Sequence, residues 1–353
     1  MPKQKDTVYS KQALDTYQQV SLHGEFRVSQ SKVKQWRKCH YSYHLRYPLG
    51  LKKKVKSRSL QVGTIIHKML DADAEGNDPM LLLKQIGKDN AKLFSSQREE
   101  YGEIIDDIRQ IMTEYFNYWS PKDFTNRRIN KRSGEYKFEI DMFGGDVCWT
   151  GTVDKIGYTQ DKLNWIGETK SFKRRPDDGA RWRSIQSATY IRAVRELGWC
   201  NYEIEGMMWD YIHNKPPTKP ALLKAGGISE KNINTLPITI RETFKELGLE
   251  PKLFKSYIKR HEDRLDEWFF RIYTPVDNSV VDHLFEDFTM TIQEMMAGHG
   301  KVKDKNVEVH CNWCDYNSIC QAELEGNDVD YVIEKEFERG TTDDYEPAIT
   351  TED

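Results

Sequence analysis

Asp154, Glu168 and Lys170 stand where apolar residues are expected, inside GTVDKIGYTQDKLNWIGETKS at residues 151–171. Val147, Trp149, Gly151 and Val153 alternate with other residues, as do Leu163, Trp165 and Gly167, around a turn-rich Thr159-Gln160-Asp161-Lys162. The pattern predicts a hairpin centred near Asp161, which sets Asp154 opposite Glu168. Carboxylates facing each other with Cβ atoms about 4.5 to 5.5 Å apart repel unless a positive charge lies between them, and a divalent cation would supply it. Lys170 shares the face of Glu168, because strand side chains repeat every second residue. The stretch therefore describes a metal site with an amine beside it. Taken alone the tripeptide is a weak signal, since 31% of the chain is charged and Glu135-Tyr136-Lys137 has the same form in another alternating stretch. A solvated strand face is the plainer reading of either one.

Other candidates flank this hairpin. Gly63-Thr64-Ile65-Ile66-His67 puts a histidine on an early helix, and Gln186 and Tyr190 lie one helical turn apart on a later one. Hard divalent ions held by carboxylates make water nucleophilic near neutral pH and stabilise charge on phosphoryl oxygens, which is what phosphodiester hydrolysis requires. Asp154 and Glu168 are the obvious ligands, and His67 would complete a sphere suited to Mn²⁺ or Mg²⁺ with some tolerance for softer ions. Lys170 would orient or deprotonate the attacking water, or hold the scissile phosphate.

CNWCDYNSIC supplies Cys311, Cys314 and Cys320, with Cys39 a fourth thiolate far upstream. Cys311-x-x-Cys314 has the bite of a tetrahedral thiolate site, which suits Zn²⁺ or a [4Fe-4S] cluster equally by spacing, and His40 or His310 could replace one thiolate. Joining Cys39 to Cys311 would clamp the first helix to the C-terminal segment. Cys148 and Cys200 are isolated in apolar surroundings and read as core.

The succession GxxxH, GxxD, ExK, QxxxY, bracketed by one Cys before and CxxC plus one Cys after, resembles the PD-(D/E)xK nuclease superfamily over residues 29–320. More narrowly it is similar to the RecB-type branch, which includes the iron-sulfur exonucleases associated with CRISPR adaptation and the nuclease domains of bacterial recombination enzymes. The superfamily's Pro is absent before Asp154. The resemblance implies a restriction-endonuclease-like α/β (α+β) core and the metal and lysine roles given above, with the Thr169 carbonyl as a further ligand. It also implies Gln186 and Tyr190 facing DNA or bracing the site, and [4Fe-4S] rather than Zn²⁺ on Cys39, Cys311, Cys314 and Cys320. The expected activity is metal-dependent DNA exonuclease action at single- or double-stranded ends, in recombination, repair or DNA turnover, with protein partners from recombination or replication. The alternatives are an endonuclease of the same fold and a catalytically silent DNA-binding or scaffolding protein.

The elements that must position these residues follow from periodicity. A helix begins near a Ser cap in VSQSKVKQWRKCHYSYHLRY, with Val33, Trp36, Tyr43 and Tyr47 as a stripe that would pack in the core or stack on unpaired bases. Further helices are expected around Ile65 to Leu70 and over 98–119, 181–198 and 278–298, with strands over 135–171 and in YEIEGMMWDYI and EWFFRIYT. The outcome is a mixed central sheet flanked by helices. Residues 213–262 read as an irregular insertion, 1–28 as an N-terminal extension and 321–353 as a disordered acidic tail.

Thirty-eight per cent of the 353 residues are hydrophobic, enough for a large core. No signal-peptide-like run and no window near the roughly 18 apolar residues of a membrane span is present, so a cytoplasmic protein with reduced cysteines is expected. Neither GxxxxGK[ST] nor GxGxxG occurs, which argues against an ATP-driven motor or a dinucleotide enzyme. Residues 321–353 hold twelve acids and two bases, so the preceding 320 carry about +7 within an overall −3. The basic runs Lys52, Lys53, Lys54, Lys56 and Arg58, and Lys173, Arg174 and Arg175, are candidate contacts to a DNA backbone.

Overall fold

The computed structural model describes residues 26–340 except 90–94, 121, 130, 178, 180, 201–202 and 225–227. The described elements begin with β1 (Phe26–Val28), α1 (Gln30–Lys38), α2 (His40–Arg46), β2 (Leu51–Lys53), α3 (Arg58–Ala74), α4 (Pro79–Asp89) and α5 (Ser95–Tyr118). There follow β3 (Phe124–Asn126), β4 (Tyr136–Met142), β5 (Val147–Val153), β6 (Lys155–Thr159), β7 (Asn164–Phe172), α6 (Ile185–Glu196) and β8 (Ile204–His213). Last come α7 (Pro237–Glu246), α8 (Lys255–Glu262), β9 (Phe269–Pro275), α9 (Asn278–Gly298), α10 (Asn317–Glu325), α11 (Val329–Glu336) and β10 (Phe337–Arg339). Two compact units divide them, one of 1–55, 137–151 and 278–348, the other of 56–136, 152–277 and 349–353. Residues 29–320, expected as one domain, thus contribute to both.

The larger unit is built on a five-stranded sheet in the order β3-β6-β7-β8-β9. β7 and β8 run parallel and the other pairs antiparallel. All nine residues of β7 are buried, as a central strand covered on both faces requires. The Ser57 hydroxyl caps α3 by accepting from the Leu60 N–H at 3.3 Å. The helix then buries Val62, Ile65, Ile66, Met69 and Leu70 against Ile104, Ile108, Ile111 and Met112 of α5 and Ile212 and Phe269 of the sheet.

Part of the expected irregular insertion is a helix pair. Pro237 sits in the first turn of α7, where a missing N–H costs nothing, so proline starts the helix instead of breaking it. Ile240 and Phe244 of α7 pack on Tyr257 and Ile258 of α8. The pair is tied to α5 through Glu114, which accepts from the Ile238 N–H at 2.7 Å, and by the bidentate Arg109–Glu242 bridge, both contacts at 2.8 Å.

In the other unit the sheet order is β1-β5-β4, with β1 and β5 parallel. Trp149 of β5 packs on Phe285 and Phe288 of α9 at 5.0 and 5.8 Å between centroids. The single helix expected through Cys39 is two helices. Cys39 is extended, with φ −168° and ψ 116°, yet its N–H still donates to the Gln35 carbonyl and its carbonyl accepts from the Tyr43 N–H. One residue therefore ends α1 and starts α2. Val33, Trp36, Tyr43 and Tyr47 are at most 5% exposed, which settles their role as core and removes them as a base-stacking surface.

The disordered tail is a second correction. α10, α11 and β10 carry the chain to Arg339, with Asp328 capping α11 by accepting from the Tyr331 N–H at 3.0 Å. β10 pairs antiparallel with β2, which sets Glu338 opposite Lys52. Phe337 joins Tyr41, Leu45, Leu51, Tyr316 and Ile319 in one cluster, with Val329, Val332 and Ile333 against it. Acidic composition averaged over the segment concealed this apolar spacing. Residues 341–353, and nearly all of the expected N-terminal extension at 1–25, lie outside the described residues.

Candidate active site

β6 and β7 pair with Lys155 opposite Gly167 and Tyr158 opposite Asn164, the register that carries Asp154 across from Glu168. The strand leading into the hairpin does not continue along β7, however. β5 pairs with β1, and Asp154 is the unpaired residue at which the chain changes sheets. Its carboxylate Oδ2 accepts from the Thr169 N–H at 2.8 Å and lies 3.5 Å from His67 Nδ1. On β7, Glu168 Oε1 is 3.0 Å from Lys170 Nζ, and both residues are 5% exposed. The Lys170 ammonium also reaches Gln186 Oε1 at 3.4 Å. The Gln186 amide is in turn hydrogen-bonded to the Tyr190 hydroxyl. Gln186 and Tyr190 are at most 9% exposed.

Burial, and after it the neighbouring Glu168, pushes the Asp154 carboxyl well above the usual carboxylate range. Desolvation also lowers the His67 imidazole from its ordinary value, keeping it neutral with a lone pair to offer. Burial raises the Tyr190 phenol far above its ordinary value, the charges of Glu168 and Asp154 adding to the effect. Two acids thus crowd one buried place, with Glu168 Oε2 and His67 Nε2 making no hydrogen bond. Such under-satisfied oxygen and nitrogen donors suit a hard divalent cation. Among the described residues no three His, Cys, Asp or Glu side chains are arranged as a metal shell. The Thr169 N–H and Lys170 occupy one oxygen each of Asp154 and Glu168, and the donors meet as pairs.

A narrow cleft opens beside these groups, lined by His67, Asp71, Glu135, Asp154, Lys155 and Thr169 among others. Asp71 and Glu135 were not singled out from the sequence. The signal for Asp71 was available, because it follows His67 by four residues and so shares its helix face. Glu135, in the tripeptide read as a solvated strand face, precedes β4 with φ +43° and donates its N–H to the Asp154 carbonyl at 2.9 Å. Gly134 lets the chain approach α3, since a Cβ there would meet Asp71 Oδ1 at 2.8 Å. On β8, Asp210 accepts from Lys155 at 2.9 Å, from the Tyr115 hydroxyl at 2.5 Å and from Arg271 at 3.2 Å. These cations overcome burial and hold its carboxyl below the usual range, fixing the residue next to Asp154.

The four cysteines expected to act together do line one small pocket, with His310 and Tyr41. Cys39, Cys314 and Cys320 lie against the apolar cluster of Tyr41, Leu45, Tyr316 and Ile319. Burial raises the thiols of Cys314 and Cys320. His40 is turned away to Asp304, at 2.7 Å from Nδ1, whereas His310 Nε2 has no hydrogen-bond partner. Cys148 is buried as expected, and Cys200 is half-buried instead of core. None of the six forms a disulfide.

The basic candidates are not equally available. Lys53, Lys54, Lys56, Lys173, Arg174 and Arg175 are exposed. Lys54 nevertheless donates to the Glu334 carbonyl, Lys52 faces Glu338 across the β2–β10 pair, and Arg58 bonds Asp107 at 2.5 Å.

A central strand presenting Glu-x-Lys, with an acid from the adjoining hairpin and a histidine from a flanking helix, lies on a mixed α/β core. The sequence model of the PD-(D/E)XK nuclease superfamily matches residues 27–321, and the chain belongs to that superfamily. Membership implies nuclease activity on a phosphodiester backbone, with the Mg²⁺ or Mn²⁺ typical of these enzymes and DNA as the partner. A solved structure described as SSO0001 covers 89% of this chain and 94% of its own, at 14% identity and a TM-score of 0.31. No curated protein matches the chain. Among the described residues no helix is long and apolar enough to cross a membrane.

Proposed function

We propose that this chain is a DNA exonuclease of the RecB-type branch, dependent on Mg²⁺ or Mn²⁺ and acting at DNA ends in recombination, repair or DNA turnover. The observation that carries it is the Glu168–Lys170 pair on a buried central strand, with Gln186 reaching Lys170 from α6 and Asp154 and His67 beside it. Asp154, Glu168, His67 and the Thr169 carbonyl would hold the cation, whose chemistry when bound is to acidify a water and neutralise phosphoryl charge. Neutral His67 offers a nitrogen without competing protonation. Lys170, steadied by Gln186, orients the attacking water or the scissile phosphate. Lys155, held by Asp210, keeps the backbone at Asp154 from shifting. Exposed Lys53, Lys56 and Lys173–Arg175 engage phosphates, with Lys52, Lys54 and Arg58 less free to do so. Cys39, Cys311, Cys314 and Cys320 would hold a [4Fe-4S] cluster, which would tie the start of α2 to the C-terminal segment.

A time course on 5′- and 3′-labelled oligonucleotides, with each metal, tests the reading. Nucleotide release from linear DNA that stops in Glu168→Ala and Lys170→Ala, with covalently closed circles left intact, is the expected result. Cleavage of circles makes the chain an endonuclease, and tight binding without cleavage makes it a silent DNA binder. Purified without oxygen, the protein should be brown with broad visible absorption. A colourless protein carrying one zinc per chain would overturn the cluster.

A further inference from the structure

The loop from β7 to α6 ends in a feature that the metal site does not use. Trp182 lies in the 3₁₀ turn Arg181–Arg183 and leaves 48% of its surface open, with the Arg183 guanidinium 5.9 Å from its ring centroid. Five of the nine tryptophans, Trp36, Trp149, Trp165, Trp209 and Trp268, are at most 6% exposed. Trp313 is open as well, at 61%, but Trp182 is the exposed indole in the basic loop that leaves β7, where it offers a flat apolar face beside exposed cations.

Trp182 is fixed. Arg181 beside it is 5% exposed, its Nε donating to the Tyr211 hydroxyl at 2.7 Å and its Nη1 to the Asp177 carbonyl at 2.9 Å. The Ser184 N–H closes the turn on the Arg181 carbonyl at 3.1 Å. The surroundings are cationic, because Lys173, Arg174, Arg175 and Arg183 of the same loop are all exposed. The Asp177 carboxylate in their midst accepts from the Gly179 N–H at 3.0 Å. Trp182 is also near the chemistry. Gln186, which touches Lys170, follows four residues later, and four residues of chain span about 14 Å at most.

We infer that Trp182 is a stacking platform for an unpaired nucleobase of the DNA strand whose backbone enters the Glu168–Lys170 site. Lys173, Arg174, Arg175 and Arg183 bind the adjoining phosphates. The inference rests on the nuclease reading and adds a substrate class to it, namely a frayed or single-stranded end. Bases inside a duplex already spend both faces on their neighbours, whereas an unpaired base has a face to give.

The test measures binding without added divalent cation, so that cleavage does not intervene. Fluorescence anisotropy compares a labelled single-stranded oligonucleotide with a blunt-ended hairpin duplex, for the wild type, Trp182→Ala and Trp182→Phe. Base-on-aromatic stacking predicts a loss of about 5- to 100-fold for Trp182→Ala on the single strand, most of it recovered by Trp182→Phe, and little change on the duplex. A 2-aminopurine at the unpaired terminus should be quenched by the wild type and not by Trp182→Ala. Unchanged single-strand affinity, or equal losses on both DNAs, overturns the platform. Cleavage by the wild type with Mg²⁺ or Mn²⁺ is scored separately, and intact DNA there defeats the nuclease reading while binding still decides the role of Trp182.

Discussion

The carboxylate site and the thiol cavity are assembled in opposite ways. Asp154, Glu168, Thr169 and Lys170 come from 17 consecutive residues, and β6–β7 register alone sets most of their geometry. Cys39 comes from the junction of two helices and Cys311, Cys314 and Cys320 from the far end of the chain, brought together by an apolar cluster. In the first region polar groups crowd each other on a buried strand and leave Glu168 Oε2 and Thr169 Oγ1 without a hydrogen bond; in the second, soft groups sit on a hydrophobic floor.

The largest effect that would break this contrast is expected at Glu168. Glu168→Gln should lower cleavage by on the order of 10²- to 10³-fold or more, as loss of a principal electrostatic group does. The same change removes the charge that raises the Asp154 carboxyl, so thermal unfolding in chelator should occur at equal or higher temperature. An inactive variant that also unfolds several degrees lower would make Glu168 a structural ion-pair member instead.

On the thiol side the matching change is Phe337→Ala. Phe337 is 3% exposed and stacks on Tyr316 at 5.7 Å, in the cluster that also receives Cys39, Cys314 and Cys320. Its removal should cost about 3 to 5 kcal/mol, read by denaturant unfolding, and should lower the content of any bound iron or zinc. Truncation at residue 323 should do the same, because it deletes β10 and α11 and leaves β2 unpaired. A truncated protein of unchanged stability would show that the last elements merely decorate the cavity.

A pH dependence separates the regions further. His213, at the end of β8, is 7% exposed among Phe172 and Trp268, and burial lowers its imidazole to about 4. The unfolded chain takes up this proton near pH 6.5 and the folded one only near 4, so stability is full above about 6.5 and falls as pH drops between the two. The loss is up to about 3 kcal/mol, and His213→Gln should flatten it in melts from pH 7 to pH 4.5. An equal acid sensitivity in that variant would move the cause elsewhere.

Short-range order was legible in the sequence, and assembly across distance was not. Alternation and turn composition placed Asp154 against Glu168, since strand register is fixed by which face must be buried. The break at Asp154 was hidden, because β5 has the same alternation whether it pairs with β7 or with β1. Glu135 looked like a solvated strand residue, and only its left-handed backbone and the approach allowed by Gly134 turn it into the cleft. Asp210 was an acid in an apolar strand whose partners, Tyr115, Lys155 and Arg271, come from three other elements. The acidic tail failed as a reading because net charge says nothing about the spacing of Val332, Ile333 and Phe337.

The smallest effect is the finest discriminator. Ser29 and Ser57 cap α1 and α3 in the same way, each hydroxyl accepting from the N–H three residues on at 3.3 Å. Either change to Ala should cost about 1 kcal/mol of stability. Their functional consequences should differ. α3 has 17 residues and holds His67 in its interior by the buried stripe on either side, so fraying at Ser57 stops short of the site and cleavage is retained. α1 has nine residues and ends at Cys39, so a loosened first turn is felt at the thiol as a faster loss of metal to a chelator. Metal loss at the wild-type rate in Ser29→Ala would mean that Cys39 is held by α2 and the apolar cluster alone.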